Sequence, residues 1–234
     1  MVLFICCNIA QKRKKNACVY ARTQSTIQMQ NEAKEILHTL FVLWFGFRKY
    51  RRELNDYIKH ETCDVDHMWR NLWFSKTKQT DDFVKSQFGH HIVSLQHYEP
   101  TNDLEKIAII VMYDQLPRNV FRGHDKAYMF DHIAMRHAKT MMHNFDSYPL
   151  FVQICLILVF IHSENISDQE EARSLQKRIA SAYPYCPIAT KTLRRITEVH
   201  HDHVGLFGRL PQRLMLNRTS ELTLGEQVFL SNVL

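Results

Sequence analysis

Glycine and proline are scarce in this chain, at six residues each among 234. So little turn chemistry argues against a fold of many short strands and favours long helices with short connections. Acidic residues are missing altogether from residues 1–31, which carry Lys12, Arg13, Lys14, Lys15 and Arg22. Those residues account for most of the net charge of +6; without them 25 basic residues face 24 acidic ones. The body is therefore nearly neutral, and global charge gives no reason to expect specific nucleic-acid binding. No apolar run reaches the 18 or so residues of a membrane-spanning helix. The longest, Tyr148–Ile161, reads as a buried core helix. The six cysteines, at 6, 7, 18, 63, 155 and 186, form no CxxC pair and no cysteine–histidine zinc spacing. That pattern predicts reduced thiols in an intracellular compartment. Phosphate-cradling glycine loops, the dinucleotide fingerprint and the G-x-S-x-G elbow are absent too.

What is present is 45% hydrophobic residues, enough for a substantial core, and 14 histidines. Residues 1–28 are set apart as a basic leader or disordered tail, ahead of a single all-α domain over 29–234. The apolar Met1–Ile5 precedes the basic Lys12–Lys15, the reverse of a secretory signal. The acid-free, Ser/Thr-containing composition partly resembles a mitochondrial transit peptide. The expected location is the cytoplasm, with the mitochondrion as alternative.

Helical periodicity organises the remainder into eight or nine helices with no significant sheet. One runs from Met29 to the stop at Gly46, with Ile36, Leu40, Leu43 and Trp44 on its inner face. Asp66–Phe74 predicts a short helix docking by its tryptophans. Thr80–His97 reads as one helix, with Phe83, Phe88, Ile92 and Leu95 inward. Asn102 with Glu105 forms a capping-box start for a helix striped by Leu104, Ile107, Ala108 and Val111. Pro117 must end it. Further helices are expected over His124–His143, Pro149–His162, Ser167–Tyr183 (capped by Ser167 and Glu170), Ile188–Val204, and after Thr223 and Glu226. Gly205–Arg213 reads as irregular.

Polar chemistry concentrates in three blocks. The first is Asp114-Gln115-Leu-Pro-Arg118-Asn119-Val-Phe-Arg122-Gly123, at the end of an apolar helix. The second is His162-Ser163-Glu164 with Gln169. The third is His200 and Asp202, then Phe207-Gly208-Arg209-Leu-Pro-Gln-Arg213. These blocks, with Trp44-Phe45-Gly46 and Trp73-Phe74 before them, resemble the signature of a largely bacterial family known as domain of unknown function 924. The resemblance covers about Leu37–Leu230. It implies an all-α, tetratricopeptide-like stack of antiparallel helical pairs, with no established activity. Where the family closes on His-Arg-Asn, this chain has Gln212-Arg213-Leu214, so a histidine and an asparagine are replaced.

If the blocks converge, Arg118, Arg122, Arg209 and Arg213 would offer guanidinium forks to a carboxylate or phosphate. Asn119 and His162 would orient the ligand, with Asp114, Gln115, Glu164, Gln169, His200 and Asp202 lining the groove. The leading expectation is a binding module for an anionic small molecule or peptide carboxylate. The rival is a hydrolase-like enzyme with His162 and Glu164 as acid–base pair and Asp114 as a further candidate. The third is a purely architectural lock, the arginines bonding acids and helix-end carbonyls. No metal or cofactor is expected. His162/Glu164 and His200/Asp202 have the right residue types, but such spacing on a regular helix turns the side chains about 200° apart.

Overall fold

The computed structural model describes residues 28–46, 72–214 and 219–233, and among them every regular element is helical, with no strand. The expected leader, the polar stretch after Gly46 and the Trp69 half of the tryptophan helix lie outside the described residues.

Helix α1 spans 28–44 and stops at Gly46, whose φ of 66° is a left-handed conformation that glycine adopts without penalty. Ala33, Leu37, Leu40, Phe41 and Trp44 form its buried stripe. Ile36 and Leu43, expected on that face, are only partly buried. Trp73 closes the end of the helix. Its Nε1 donates to the Trp44 carbonyl at 2.9 Å, satisfying a terminal acceptor.

The helix expected over Thr80–His97 is instead α2 (Lys78–Phe88) and α3 (His91–Ser94). The break falls at Gly89, where a Cβ would lie 2.6 Å from the Lys85 carbonyl oxygen. Phe83 is 42% exposed rather than inward, and Val84 takes its place in the core. Helix α4 (Asp103–Asp114) begins as its capping pattern predicts. Asn102 Oδ1 accepts from Glu105 N at 2.9 Å, and Glu105 in turn accepts from Thr101 N at 2.7 Å. Pro117 ends α4, but the chain re-enters helix at once as α5 (Leu116–Val120). Proline is at home in a first turn, where its missing donor is not needed.

The single helix expected over His124–His143 is also corrected. The His124 side chain accepts from Lys126 N at 3.2 Å, a local bond that competes with helix. A 3₁₀ turn (Asp125–Ala127) follows, then α6 (Asp131–Met141) and a second 3₁₀ segment (Met142–Ser147). Helix α7 (Leu150–Ile161) is buried on nearly every side and packs against α4, α6, α8 and α9. Apolar residues all round suit this central position. Each large side chain it buries contributes about 1.5–3 kcal/mol.

Helix α8 (Ile166–Ala182) is capped by Asn165, which accepts from Ser167 N at 2.8 Å, so the expected Ser167–Glu170 box does not form. A π-helical turn (Ile188–Thr192) leads into α9 (Leu193–Phe207), which runs past Val204 to a left-handed Gly208. After the 3₁₀ turn Pro211–Arg213 comes α10 (Leu224–Val233), with Thr223 and Glu226 bonded as capping partners. Cys155 is a free, buried thiol. Cys186 is disulfide-bonded, which corrects the expectation of reduced thiols there, since sequence spacing does not report approach in space. No described helix is long and apolar enough to cross a membrane.

Candidate functional site

Asp114 sits at the last turn of α4 with its side chain only 1% exposed. A carboxylate there faces the negative end of the helix, so it needs partners. Gln115 Nε2 donates to its Oδ2, and His162, the residue that caps α7, brings Nδ1 to within 2.7 Å of Oδ1. The Arg118 guanidinium lies 3.5 Å from Oδ1 and also donates to the Asp114 carbonyl. Burial pushes the Asp114 carboxyl up. The adjoining His162 and Arg118, with the bond from Gln115, outweigh it and hold the group ionised below the usual range.

Arg118 also makes a two-pronged bond to Asp131 in the first turn of α6, Nη1–Oδ1 at 2.8 Å and Nη2–Oδ2 at 3.1 Å. Arg213 joins the same carboxylate, Nη2–Oδ2 at 2.8 Å, and donates to the His162 carbonyl. Tyr128 lies against both guanidiniums, 5.5 Å from Arg118 and 4.9 Å from Arg213. Glu164 accepts from Leu210 N at 2.9 Å and lies 3.9 Å from Arg213 Nε. Its partner is thus the third block, not His162 as an acid–base pair requires. Gln169, fully buried, donates to the carbonyls of Ile161 and Ser163 and so closes the end of α7.

His200 on α9 lies beside His162, with ring centroids 6.0 Å apart. Its Nδ1 is 2.9 Å from the Ile196 carbonyl, so Nδ1 carries the proton and donates. Burial first, then the neighbouring His162, lowers His200 to about 3, and the ring is neutral. Each ring has Nδ1 engaged, and neither Nε2 bonds to a described residue. His203 lies behind, 6.3 Å from His200, with both ring nitrogens buried and unpartnered.

The four arginines do not converge. Arg122 turns to Asp81 in the first turn of α2, Nε–Oδ2 at 2.6 Å and Nη2–Oδ1 at 2.8 Å, and Asn119 donates to the same Oδ1 at 2.9 Å. Arg209 turns to Glu226 in the first turn of α10, at 2.7 and 2.9 Å. Asp202 is exposed and lies 3.4 Å from its neighbour His201. So Asp114, Gln115, Arg118, His162, Glu164, His200 and Arg213 come together, with Gln169 beneath. Asn119, Arg122, Arg209 and Asp202 stand apart. Three acids that receive the arginines, Asp81, Asp131 and Glu226, were missed by spacing alone. Each occupies a helix first turn, where the dipole favours a carboxylate, and that was the available signal. Among the described residues no group of three or more His, Cys, Asp or Glu is placed to hold a metal ion.

A family model described as bacterial protein of unknown function matches residues 40–233. The chain belongs to this family, DUF924. Among solved structures it resembles the protein of unknown function ATU0120 from Agrobacterium tumefaciens, at 24% identity and a TM-score of 0.58, over 68% of this chain and 88% of that one. That likeness shows the shared all-α fold. Among curated proteins none matches. In the closing block, Leu214 is buried, and Gln212 buries an Oε1 with no described partner.

Proposed function

We propose that this DUF924 member is a helical binding module whose contact atoms are the Nε2 lone pairs of His162 and His200. The observation that carries this is the shared arrangement of the rings: each directs Nδ1 to a protein acceptor and leaves Nε2 without a described partner. An imidazole whose Nδ1–H is fixed by a carboxylate or carbonyl presents a basic, oriented Nε2. Arg118 and Arg213 are the frame rather than the contact, because their bonds already run to Asp114, Asp131 and the His162 carbonyl. The expected ligand is small and presents a hydrogen-bond donor; an anionic part would fit beside the guanidiniums. The successive packing of α7 with α8 and α8 with α9 supports a tetratricopeptide-like stack as scaffold.

Long-range proton–nitrogen NMR of the histidines tests this at neutral pH. Both rings should be Nδ1–H tautomers with a free Nε2. Native mass spectrometry of gently purified protein should show a retained species that His200→Ala loses. An Nε2–H tautomer at either ring sinks the reading.

A second reading, a purely architectural lock, is favoured by one observation: Asp131 takes both guanidiniums. It predicts that His200→Ala changes neither ligand retention nor stability, while Asp131→Ala unfolds the region.

A further inference from the structure

We propose that the face shared by the start of α8, the end of α9 and the start of α10 is a docking surface for the chain's own basic N-terminal stretch, Met1–Lys15. The inference stands apart from the histidine reading, since it uses none of its contact atoms.

The face groups large apolar side chains in the open. Ile166, Leu206, Leu224 and Val228 are 44%, 66%, 76% and 53% exposed. Two glycines bring their helices together. The Cβ that Gly205 lacks would stand 4.0 Å from Ile166 Cδ1, and the one that Gly225 lacks would stand 3.7 Å from Phe207 Cε1. Ile166 thus meets α9 next to Leu206, and Leu224 enters α10 beside Phe207. Leu224 and Val228 are four apart and share one face of α10. Single exposed apolar residues need no explanation, but a grouped set marks an interaction surface.

The surroundings are acidic. Segments 164–171, 198–207 and 219–228, which carry these side chains, hold eight Asp or Glu (four, two and two) and no Lys or Arg. Among the described residues four bases from elsewhere reach those acids, namely Lys139, Arg173, Arg209 and Arg213. The acids therefore outnumber the bases around them. Glu170 lies one turn beyond Ile166, and Asp202 one turn before Leu206. His201 joins the two helices at that level, its Nε2 2.7 Å from Glu170 Oε1. An apolar level is thus followed along the α8–α9 pair by an acidic one.

A matching occupant is apolar, then basic, and carries no acid. Met1–Ile5 followed by Lys12–Lys15 has that order, and residues 1–31 contain no Asp or Glu. A second copy is a poor occupant, because its matching face would set acid against acid. Reach is no obstacle. The 22 residues between Ile5 and Gln28 span at most ~75 Å, against a domain on the order of 45 Å across. Attachment to the same chain also gives an effective concentration on the order of mM, which favours this stretch over a separate protein.

Zero-length carbodiimide coupling of the full chain tests this, with equal amounts of ¹⁴N- and ¹⁵N-labelled protein mixed before reaction. Lys12, Lys14 or Lys15 should couple to Glu170, Asp202 or Glu221 within one chain, and salt should suppress the coupling. Leu206→Asn and Asp202→Asn, both at exposed positions, should each lower the yield several-fold. In a full chain with Lys12→Gln, Arg13→Gln, Lys14→Gln and Lys15→Gln combined, amide exchange should accelerate at the start of α8 and in α10. It should stay unchanged in α7. Coupling of these lysines only to acids outside the face overturns the inference, as does unchanged exchange in the combined variant. Mixed-isotope products would assign the contact to a second copy and overturn it too.

Discussion

Arg213 reaches back across 82 residues of chain to Asp131, Nη2 to Oδ2 at 2.8 Å. The contact ties the 3₁₀ turn after α9 to the start of α6, and Arg118 meets the same carboxylate from α5. Removing the shared acceptor would leave two poorly solvated guanidiniums facing one another over Tyr128. Asp131→Ala should therefore cost about 3 kcal/mol. A lower urea midpoint at unchanged slope would report it. A loss below about 1 kcal/mol would show that water already carries these charges.

The latch between Asp81 and the pair Asn119 and Arg122 is more exposed, with Arg122 at 36%. Asp81→Ala should cost about 1–2 kcal/mol, the scale of charge-assisted bonds partly open to water. Amide exchange should accelerate in α2 while α7 keeps its protection. Equal acceleration in both would show that the latch supports the whole core.

Acid should loosen α10. The bond from Arg209 is the largest influence on Glu226; with the Thr223 bonds it overcomes burial and holds the carboxyl down to about 2. A depressed carboxylate contributes stability that is complete above its unfolded value of 4.5 and fades as pH falls towards 2. NMR signals of α10 should therefore broaden or shift between pH 4.5 and 2, in a way that Glu226→Gln removes from the pH profile. Invariance of the native chain over that window would refute the assignment.

Gly123 has a φ of 83° and open space where a Cβ would stand. The cost of a side chain is thus conformational rather than steric with neighbours. Gly123→Ala should lose about 1–2 kcal/mol, and Gly123→Asn less, as thermal melts would show.

Local signals were legible where one short-range interaction decides the outcome. Asn102 with Glu105, Thr223 with Glu226, the stop at Gly46 and the apolar α7 all follow from propensity or capping. The failures share a different cause. Arg118 and Arg122 are four apart, and a continuing helix would place them on one face. Helix α5 ends at Val120, so they diverge to Asp131 and Asp81. Arg209 and Arg213 are parted by a loop and a 3₁₀ turn. Which acid an arginine selects depends on packing between helices, and no spacing rule contains that. The blocks therefore marked the neighbourhood of the site, while the identity of the pairs came only with the fold.

The order of residues along the chain has a consequence for biosynthesis. Asp131 and Glu164 are translated well before Leu210 and Arg213, their partners in the last block. While α4 to α8 emerge from the ribosome, Asp131 has Arg118 alone among the arginines of the cluster. The pairing around His162 can be completed only after α9 and the turn beyond it have been made. The site is therefore a seam that only the last block of the chain can close.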